Sequence, residues 1–318
     1  MPTETILVCH SFLPDGTLAK WRHEFAPHRI VDAREPAAFA EHLAEATITY
    51  GLPDLAKLVE MSKLRWIQLA SAGVPAPLCE PATKRGITVT NLAGLYGPTI
   101  AEHALAMMLI LSRELHVVLW NQAAKSWNRD VADTMRDLAG KTLGIVGLGN
   151  IGQNIARLGK AMGMRVVGVR RTPQPTPFVD RVYAPTELRH LAMESDVIAV
   201  AAPLVAGTDG MLDDAFFAAA RSGAMYINVS RGPIARESSL LAALDSGKIV
   251  AAGLEVFAVE PLPPEHPLWT KRNVIISPHY SGDSVNLSGV PGERFARNLR
   301  SWLSAKPLEG VVKLEHGY

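Results

Sequence analysis

Cysteine is scarce, with only Cys9 and Cys79 in 318 residues. Two thiols cannot form a disulfide framework, and Cys9, inside an apolar run, reads as a small buried hydrophobe. An excess of charge of either sign is also missing. Lys plus Arg number 32 and Asp plus Glu 31, a formal net charge of +1, so no global field draws the chain to nucleic acid or anionic membrane. The strongest apolar run, Ala104 to Leu111, is flanked by His103 and Arg113 and is too short to span a bilayer. Met1-Pro2-Thr3-Glu4-Thr5 has no basic region leading into a long apolar stretch, so no secretory signal is expected. No His/Cys/Asp cluster has metal-ligand spacing, so no metal is expected. What is present is 48% hydrophobic and 20% charged, the mix of a folded protein rather than a disordered or collagen-like one. At about 150 residues per domain the length suggests two domains, and the expected compartment is the cytoplasm.

Strand-like and helix-like stretches alternate throughout, which predicts an α/β protein with parallel sheets. In the first ninety residues the strand candidates are Ile6–Val8, Arg29–Val31, Thr47–Tyr50, Trp66–Leu69 and Ile87–Val89, with helical candidates at Pro36–Glu45 and Pro53–Met61. Gly97 and Pro98 mark a boundary. Thr99 and Glu102 then have capping-box spacing, opening one long helix to about Leu119 without internal Gly or Pro. Six further strands are predicted at Thr142–Gly147, Val166–Val169, Val197–Ala201, Met225–Val229, Val250–Leu254 and Val274–Ser277, the number a dinucleotide-binding sheet needs. A last helix, Val285 to Leu303, is too little to fold alone, so it is expected to return to the N-terminal domain. The predicted domains are 1–96 with 286–318, and 97–285.

Gly147-Leu148-Gly149-Asn150-Ile151-Gly152 is a G-x-G-x-x-G placed after a strand and opening a helix. Gly147 permits the tight turn, Gly149 lets a pyrophosphate approach the backbone, and Gly152 lets helix and strand pack closely. The helix N-terminus offers N–H groups and partial positive charge to phosphate. The next strand ends in Arg170-Arg171-Thr172, not in the acidic residue that would accept a ribose hydroxyl. Guanidinium groups can pair with a 2′-phosphate, which points to NADP(H), with NAD(H) possible; the bland alternative is a solvated Arg pair at a strand end.

Three functional groups follow, each near the C-terminal end of a predicted strand: Arg231, Glu260 and His279. Singly, Arg231 and Glu260 read as solvated loop residues, and His279 as a hydrogen-bonded loop histidine. Their order and flanks join them. Ligands of open α/β sheets bind at that edge, so three loops could converge on one site.

The residues that carry a resemblance are Gly147-x-Gly149-x-x-Gly152, Asn228-Val229-Ser230-Arg231-Gly232 with Glu237 and Leu240, Leu254-Glu255-Val256-Phe257-x-x-Glu260-Pro261-Leu262, and Ser277-Pro278-His279-x-x-Gly282. Over essentially its whole length the chain resembles the D-isomer-specific 2-hydroxyacid dehydrogenases. The resemblance implies two doubly wound parallel-sheet domains, a Rossmann-type cofactor domain and a flavodoxin-like substrate domain. It also implies an inter-domain cleft and a homodimer. It makes His279 the acid in reducing a 2-oxo acid, a task suited to the side chain that titrates near neutrality. Glu260 orients the imidazole, and Arg231 binds substrate oxygens and polarises the carbonyl. Backbone N–H groups of Ala72-Gly73-Val74 would hold the substrate carboxylate. Ala202, Pro203 and Glu255 would line the cofactor, Glu255 lying beside the nicotinamide carboxamide.

Departures from the family pattern are Glu255 for a usual Asp, Pro75 for a common Asp, and Arg236 for the usual Asp before Glu237. They bear on substrate identity, not reaction type. The leading expectation is an NADPH-preferring reductase of glyoxylate or hydroxypyruvate. The alternatives are an NAD-linked dehydrogenase acting on phosphoglycerate or a similar acid, and a non-catalytic dinucleotide-sensing corepressor. Trp120 and Trp127 are expected to pack near a dimer arm, His103 to be structural, and His10 and His116 to carry no role.

Overall fold

The computed structural model describes residues 3–10, 13–52 and 54–315. Met1 and Pro2, part of the segment read for a secretory signal, lie outside them, as does Pro53, the expected start of a helix. In chain order the first elements are β1 (Thr5–Val8), α1 (Thr17–Glu24), β2 (Arg29–Asp32), α2 (Pro36–His42), β3 (Ile48–Tyr50), β4 (Trp66–Gln68), α3 (Ala76–Arg85) and β5 (Thr88–Thr90). Next come α4 (Gly97–Ser112), α5 (Leu115–Ala123), β6 (Thr142–Val146), α6 (Asn150–Ala161), β7 (Arg165–Val169), β8 (Arg181–Tyr183), α7 (Leu188–Glu194) and β9 (Val197–Val200). The remainder is α8 (Asp214–Ala219), β10 (Ala224–Asn228), α9 (Glu237–Asp245), β11 (Ile249–Leu254), β12 (Val274–Ile276) and α10 (Val290–Leu303). The chain divides into two compact units, residues 1–95 with 284–318, and residues 96–283.

The first unit is a five-stranded parallel sheet of order β2-β1-β3-β4-β5, the flavodoxin-like order. Strand alternation assigns its two faces. Ile6 and Val8 point into a core with Trp21, Tyr50, Trp66, Phe295 and Leu299, whereas Leu7 and Cys9 point into one with Phe39, Leu58, Ile67 and Val89. Burial pushes the Cys9 thiol up to about 12, Asp32 adding to the effect. Helix α10 supplies the aromatic centre of the first core. Phe295 stacks on Tyr50 with centroids 4.6 Å apart and lies 5.6 Å from Trp66. Buried Asn298 donates to Gln68 Oε1 at 2.9 Å and to the Glu309 carbonyl at 3.0 Å. The expected helix over Pro53–Met61 is instead a 3-10 helix, Leu55–Glu60, opened by Asp54 accepting from the Ala56 N–H at 2.9 Å.

The second unit is a seven-stranded parallel sheet of order β12-β11-β10-β9-β6-β7-β8. Its strands are hydrophobic on both sides because helices cover both faces. One strand more is present than expected: β8 pairs with β7, with Val167 opposite Arg181. At three residues it is too short to show periodicity. Its entry is pinned by Asp180, which accepts from the Val166 N–H at 2.7 Å. The single helix expected from Thr99 to Leu119 is two helices bent by 68°. Thr99 does not cap it; the helix starts at Gly97, with Pro98 in its first turn. Glu114 takes φ 53° and breaks the run. The burial explains the break: α4 buries Ala101, Ala104, Met107, Met108 and Leu111, whereas α5 buries no residue. No single described helix is long and apolar enough to cross a membrane.

Candidate active site

Strand order reverses at β6, between β7 on one side and β9 on the other, and doubly wound sheets place their ligands at such a switch point. The turn after β6 shows why glycine is needed at two of its three positions. Gly147 has φ 99°, and a Cβ there would lie 2.5 Å from the Ala202 nitrogen. A Cβ on Gly152 would lie 2.0 Å from the Gly147 carbonyl oxygen. Gly149 differs: its φ is −77°, and a Cβ would meet nothing within 4 Å. Packing therefore does not require glycine at 149, while a ligand lying against the backbone does. Helix α6 begins at Asn150 and Ile151 with no side-chain cap, so its first-turn N–H groups and dipole are available to an anion. A dinucleotide pyrophosphate fits this turn.

The flanking residues follow the ends of the two strands beside β6. Ala202, buried, and Pro203, exposed, follow β9 beside Gly147. Arg170, half-buried, and the exposed Arg171 and Thr172 follow β7; Arg170 donates to Thr176 Oγ1 at 3.3 Å.

The next three strand ends are tied together through backbone. Ser230 Oγ, after β10, donates to the Ala202 carbonyl. Asn228 shapes that loop, its Oδ1 accepting from the Ser230 N–H at 3.0 Å and its Nδ2 donating to the Arg231 carbonyl at 3.2 Å. Gly232 is pressed against the loop after β11, where a Cβ would lie 2.0 Å from the Phe257 carbonyl carbon. Glu260 returns toward its own loop. Its Oε1 accepts from the Phe257 N–H at 2.9 Å, and its Oε2 accepts from His279 Nδ1 at 2.7 Å. Because a carboxylate only accepts, Nδ1 carries the proton of that bond and Nε2 is the ring nitrogen left for other chemistry. Glu260 and His279 keep 35% and 41% of their side-chain surface exposed, enough for a ligand to reach them. Arg231 is half-buried and its Nη1 donates to the Ser230 carbonyl at 2.6 Å. Burial presses its guanidinium below the ordinary pKa, opposed by the charge of Glu260, and an arginine stays cationic through such a change.

Glu255, expected beside the cofactor, is enclosed by protein with no exposed surface. Its Oε1 accepts from the Ser281 N–H at 2.6 Å, and its Oε2 accepts from Ser277 Oγ and lies 3.0 Å from His103 Nε2. Burial alone would raise its pKa, but the bonds from His103, Ser277 and Ser281 outweigh it and the net shift is downward. Sequence reasoning set His103 aside as merely structural. Nothing in its spacing along α4 reveals that it meets Glu255 and Ser277.

Ala72, Gly73 and Val74 belong to the other unit, after β4. Their loop is held by Ser71 Oγ on the Gly73 carbonyl at 2.8 Å and Asn91 Nδ2 on the Ala72 carbonyl at 2.8 Å. Two recesses of the surface are lined by other residues. One of about 470 Å³ is bounded by Glu4, Arg65 and Trp302, and one of about 220 Å³ by Glu114, Arg136 and Asn273. Glu260 and His279 are exposed, and Arg231 is half-buried.

A seven-stranded parallel sheet with this glycine turn at its switch point defines a dinucleotide-binding domain. The model for the D-isomer specific 2-hydroxyacid dehydrogenase, NAD binding domain, matches residues 105–281, and the chain belongs to that family. A glyoxylate reductase/hydroxypyruvate reductase from Mus musculus is 34% identical over 261 residues, 80% of this chain and 78% of that protein. D-3-phosphoglycerate dehydrogenase from Rattus norvegicus is 33% identical over 253 residues, 80% of this chain but 47% of its own length. Among solved structures, a family member from Aeromonas salmonicida aligns with TM-score 0.84 at 32% identity, covering 98% of this chain and 100% of that one. A probable 2-hydroxyacid dehydrogenase from Rhizobium etli, in complex with NADP, HEPES and L(+)-tartaric acid, aligns with TM-score 0.84 at 25% identity, covering 100% of both chains.

Proposed function

We propose that the chain is an NADPH-preferring reductase of small 2-oxo acids, of the glyoxylate and hydroxypyruvate type, yielding D-2-hydroxy acids. The observation that carries this reading is the Glu260–His279 contact of 2.7 Å at the strand ends of a dinucleotide-binding sheet. The mouse reductase supports the substrate class. Gly147, Gly149, Asn150, Ile151 and Gly152, with Ala202 and Pro203, would hold the dinucleotide, and Arg170, Arg171 and Thr172 would receive its 2′-phosphate. The NADP complex of the Rhizobium etli protein supports that preference. When bound, the nicotinamide supplies the hydride.

The protein's own groups do the rest. Arg231 grips the substrate oxygens in fork geometry and stabilises negative charge as it gathers on the carbonyl oxygen. His279, held through Nδ1 by Glu260, delivers the proton from Nε2 to that oxygen, and the neutral ring takes it back in the reverse direction. The N–H groups of Ala72, Gly73 and Val74 would meet the substrate carboxylate. We place the protein in the cytoplasm as a homodimer. The dimer is supported by α5, which buries nothing and leaves Leu119 62% exposed, and by Trp127 at 94%.

The rat relative supports a second reading, a phosphoglycerate-type NAD-linked dehydrogenase. One assay separates them: loss of NADPH or NADH absorbance on adding glyoxylate, hydroxypyruvate, pyruvate or phenylpyruvate, and NAD reduction on adding 3-phosphoglycerate. The proposal expects turnover of glyoxylate or hydroxypyruvate, faster with NADPH. Turnover of 3-phosphoglycerate alone favours the second reading. Dinucleotide binding with no turnover of any acid overturns both and leaves a sensor.

A further inference from the structure

The loop bearing His279 is gripped by one residue of the neighbouring strand end. Glu255 accepts from Ser277 Oγ at the start of that loop and from the Ser281 N–H (2.6 Å) at its end, and its own carbonyl accepts from the His279 N–H at 3.1 Å. His279 needs such support. It has φ 53°, a conformation a non-glycine residue keeps only where its surroundings over-determine it.

His103, reaching across from α4, places Nε2 3.0 Å from Glu255 Oε2 and 3.1 Å from Ser277 Oγ. Its ring stands edge-on to Tyr280 at 5.6 Å. We infer that His103 and Glu255 form a clasp that positions His279, with Glu255 acting as a positioning residue. The longer side chain at 255 fits this task. An aspartate would bring its carboxylate about 1.5 Å less far from the strand, short of Ser277, Ser281 and His103 together. Glu255 is fully buried.

The inference rests on His279 being the proton donor. His103 is the better handle, since Glu255 is fully buried whereas His103 keeps 21% of its side-chain surface exposed. His103→Ala removes the donor; His103→Gln puts an amide nitrogen where Nε2 stands. Three readouts are taken on the full chain: kcat and KM for hydroxypyruvate with NADPH, the NADPH Kd by fluorescence, and hydrogen exchange of the 277–281 amides. His103→Ala is expected to lower kcat about tenfold or more, leave the NADPH Kd within about threefold, and speed exchange at His279 and Ser281. His103→Gln is expected to restore most of both. Unchanged exchange in His103→Ala overturns the clasp. So does an NADPH Kd raised about tenfold with kcat preserved, or a His103→Gln no better than alanine. If the wild-type protein reduces no 2-oxo acid, the proposed function fails, while the exchange comparison still decides the clasp.

Discussion

Gly149→Ala and Gly152→Ala place the same methyl group three residues apart, and the structure assigns them different failures. At 152 the new Cβ would sit 2.0 Å from the Gly147 oxygen, where about 3.0 Å is the tolerable minimum. Helix α6 must therefore move about 1 Å off the β6 turn. Overpacking of that kind costs about 1–3 kcal/mol, and at about 2–4 °C per kcal/mol for a unit of this size Tm should fall by about 2–12 °C. At 149 the φ of −77° suits alanine and the Cβ meets nothing within 4 Å. Stability should hold or rise by about 0.4–1 kcal/mol, through the lower entropy of the unfolded chain. NADPH binding should nonetheless weaken at least about tenfold, or about 1.4 kcal/mol, because the methyl occupies the surface on which the pyrophosphate rests. Thermal melts and fluorescence titration of NADPH, run on both variants, provide the comparison. Gly149→Ala binding NADPH as tightly as wild type would refute the reasoning, since bare backbone at 149 would then serve no ligand.

Other expectations concern single groups. His279→Gln should lower kcat for the 2-oxo acid by about 10²–10⁴-fold with the NADPH Kd nearly unchanged; near-normal turnover in steady-state assays removes it as the acid. Arg170→Asp combined with Arg171→Ala should move the kcat/KM ratio of NADPH to NADH toward NADH by about tenfold or more, and an unmoved ratio ends the 2′-phosphate assignment. Glu4 is pushed up by burial, but bonds from Thr47, Arg65 and Trp302 prevail and hold its carboxyl below the ordinary range. Its stabilising contribution is therefore full above the unfolded carboxyl's pKa and lost as pH falls through the lower, folded one. Glu4→Gln should melt below wild type at neutral pH, with the gap closing in acid; a gap independent of pH would contradict this.

Much of the architecture was legible because doubly wound sheets write themselves as short apolar runs separated by helices, and eleven of the twelve described strands in the two sheets do so here. The exception, β8, owes its existence to pairing with β7 and to Asp180, neither visible in three residues read alone. The kink at Glu114 escaped for a related reason: apolar composition continues through it, while burial ends with Ser112 at the close of α4. At the site, the glycine turn and the contact of Glu260 with His279 could be anticipated because each group follows a strand end. The contact of His103 with Glu255 was not, since those residues lie far apart in sequence and meet only when α4 crosses the sheet. The Ala72–Val74 loop was proposed through resemblance alone.

Phe295 and Leu299 complete a core that begins at Ile6, so the unit containing β1 to β5 is sewn shut by a segment nearly three hundred positions downstream. Until α10 packs against the sheet, Tyr50 and Trp66 lack the ring that stacks on them. The unit holding β1 to β5 therefore cannot finish folding before α10 joins it. During that wait its open aromatic face is the surface most in need of shelter by a chaperone.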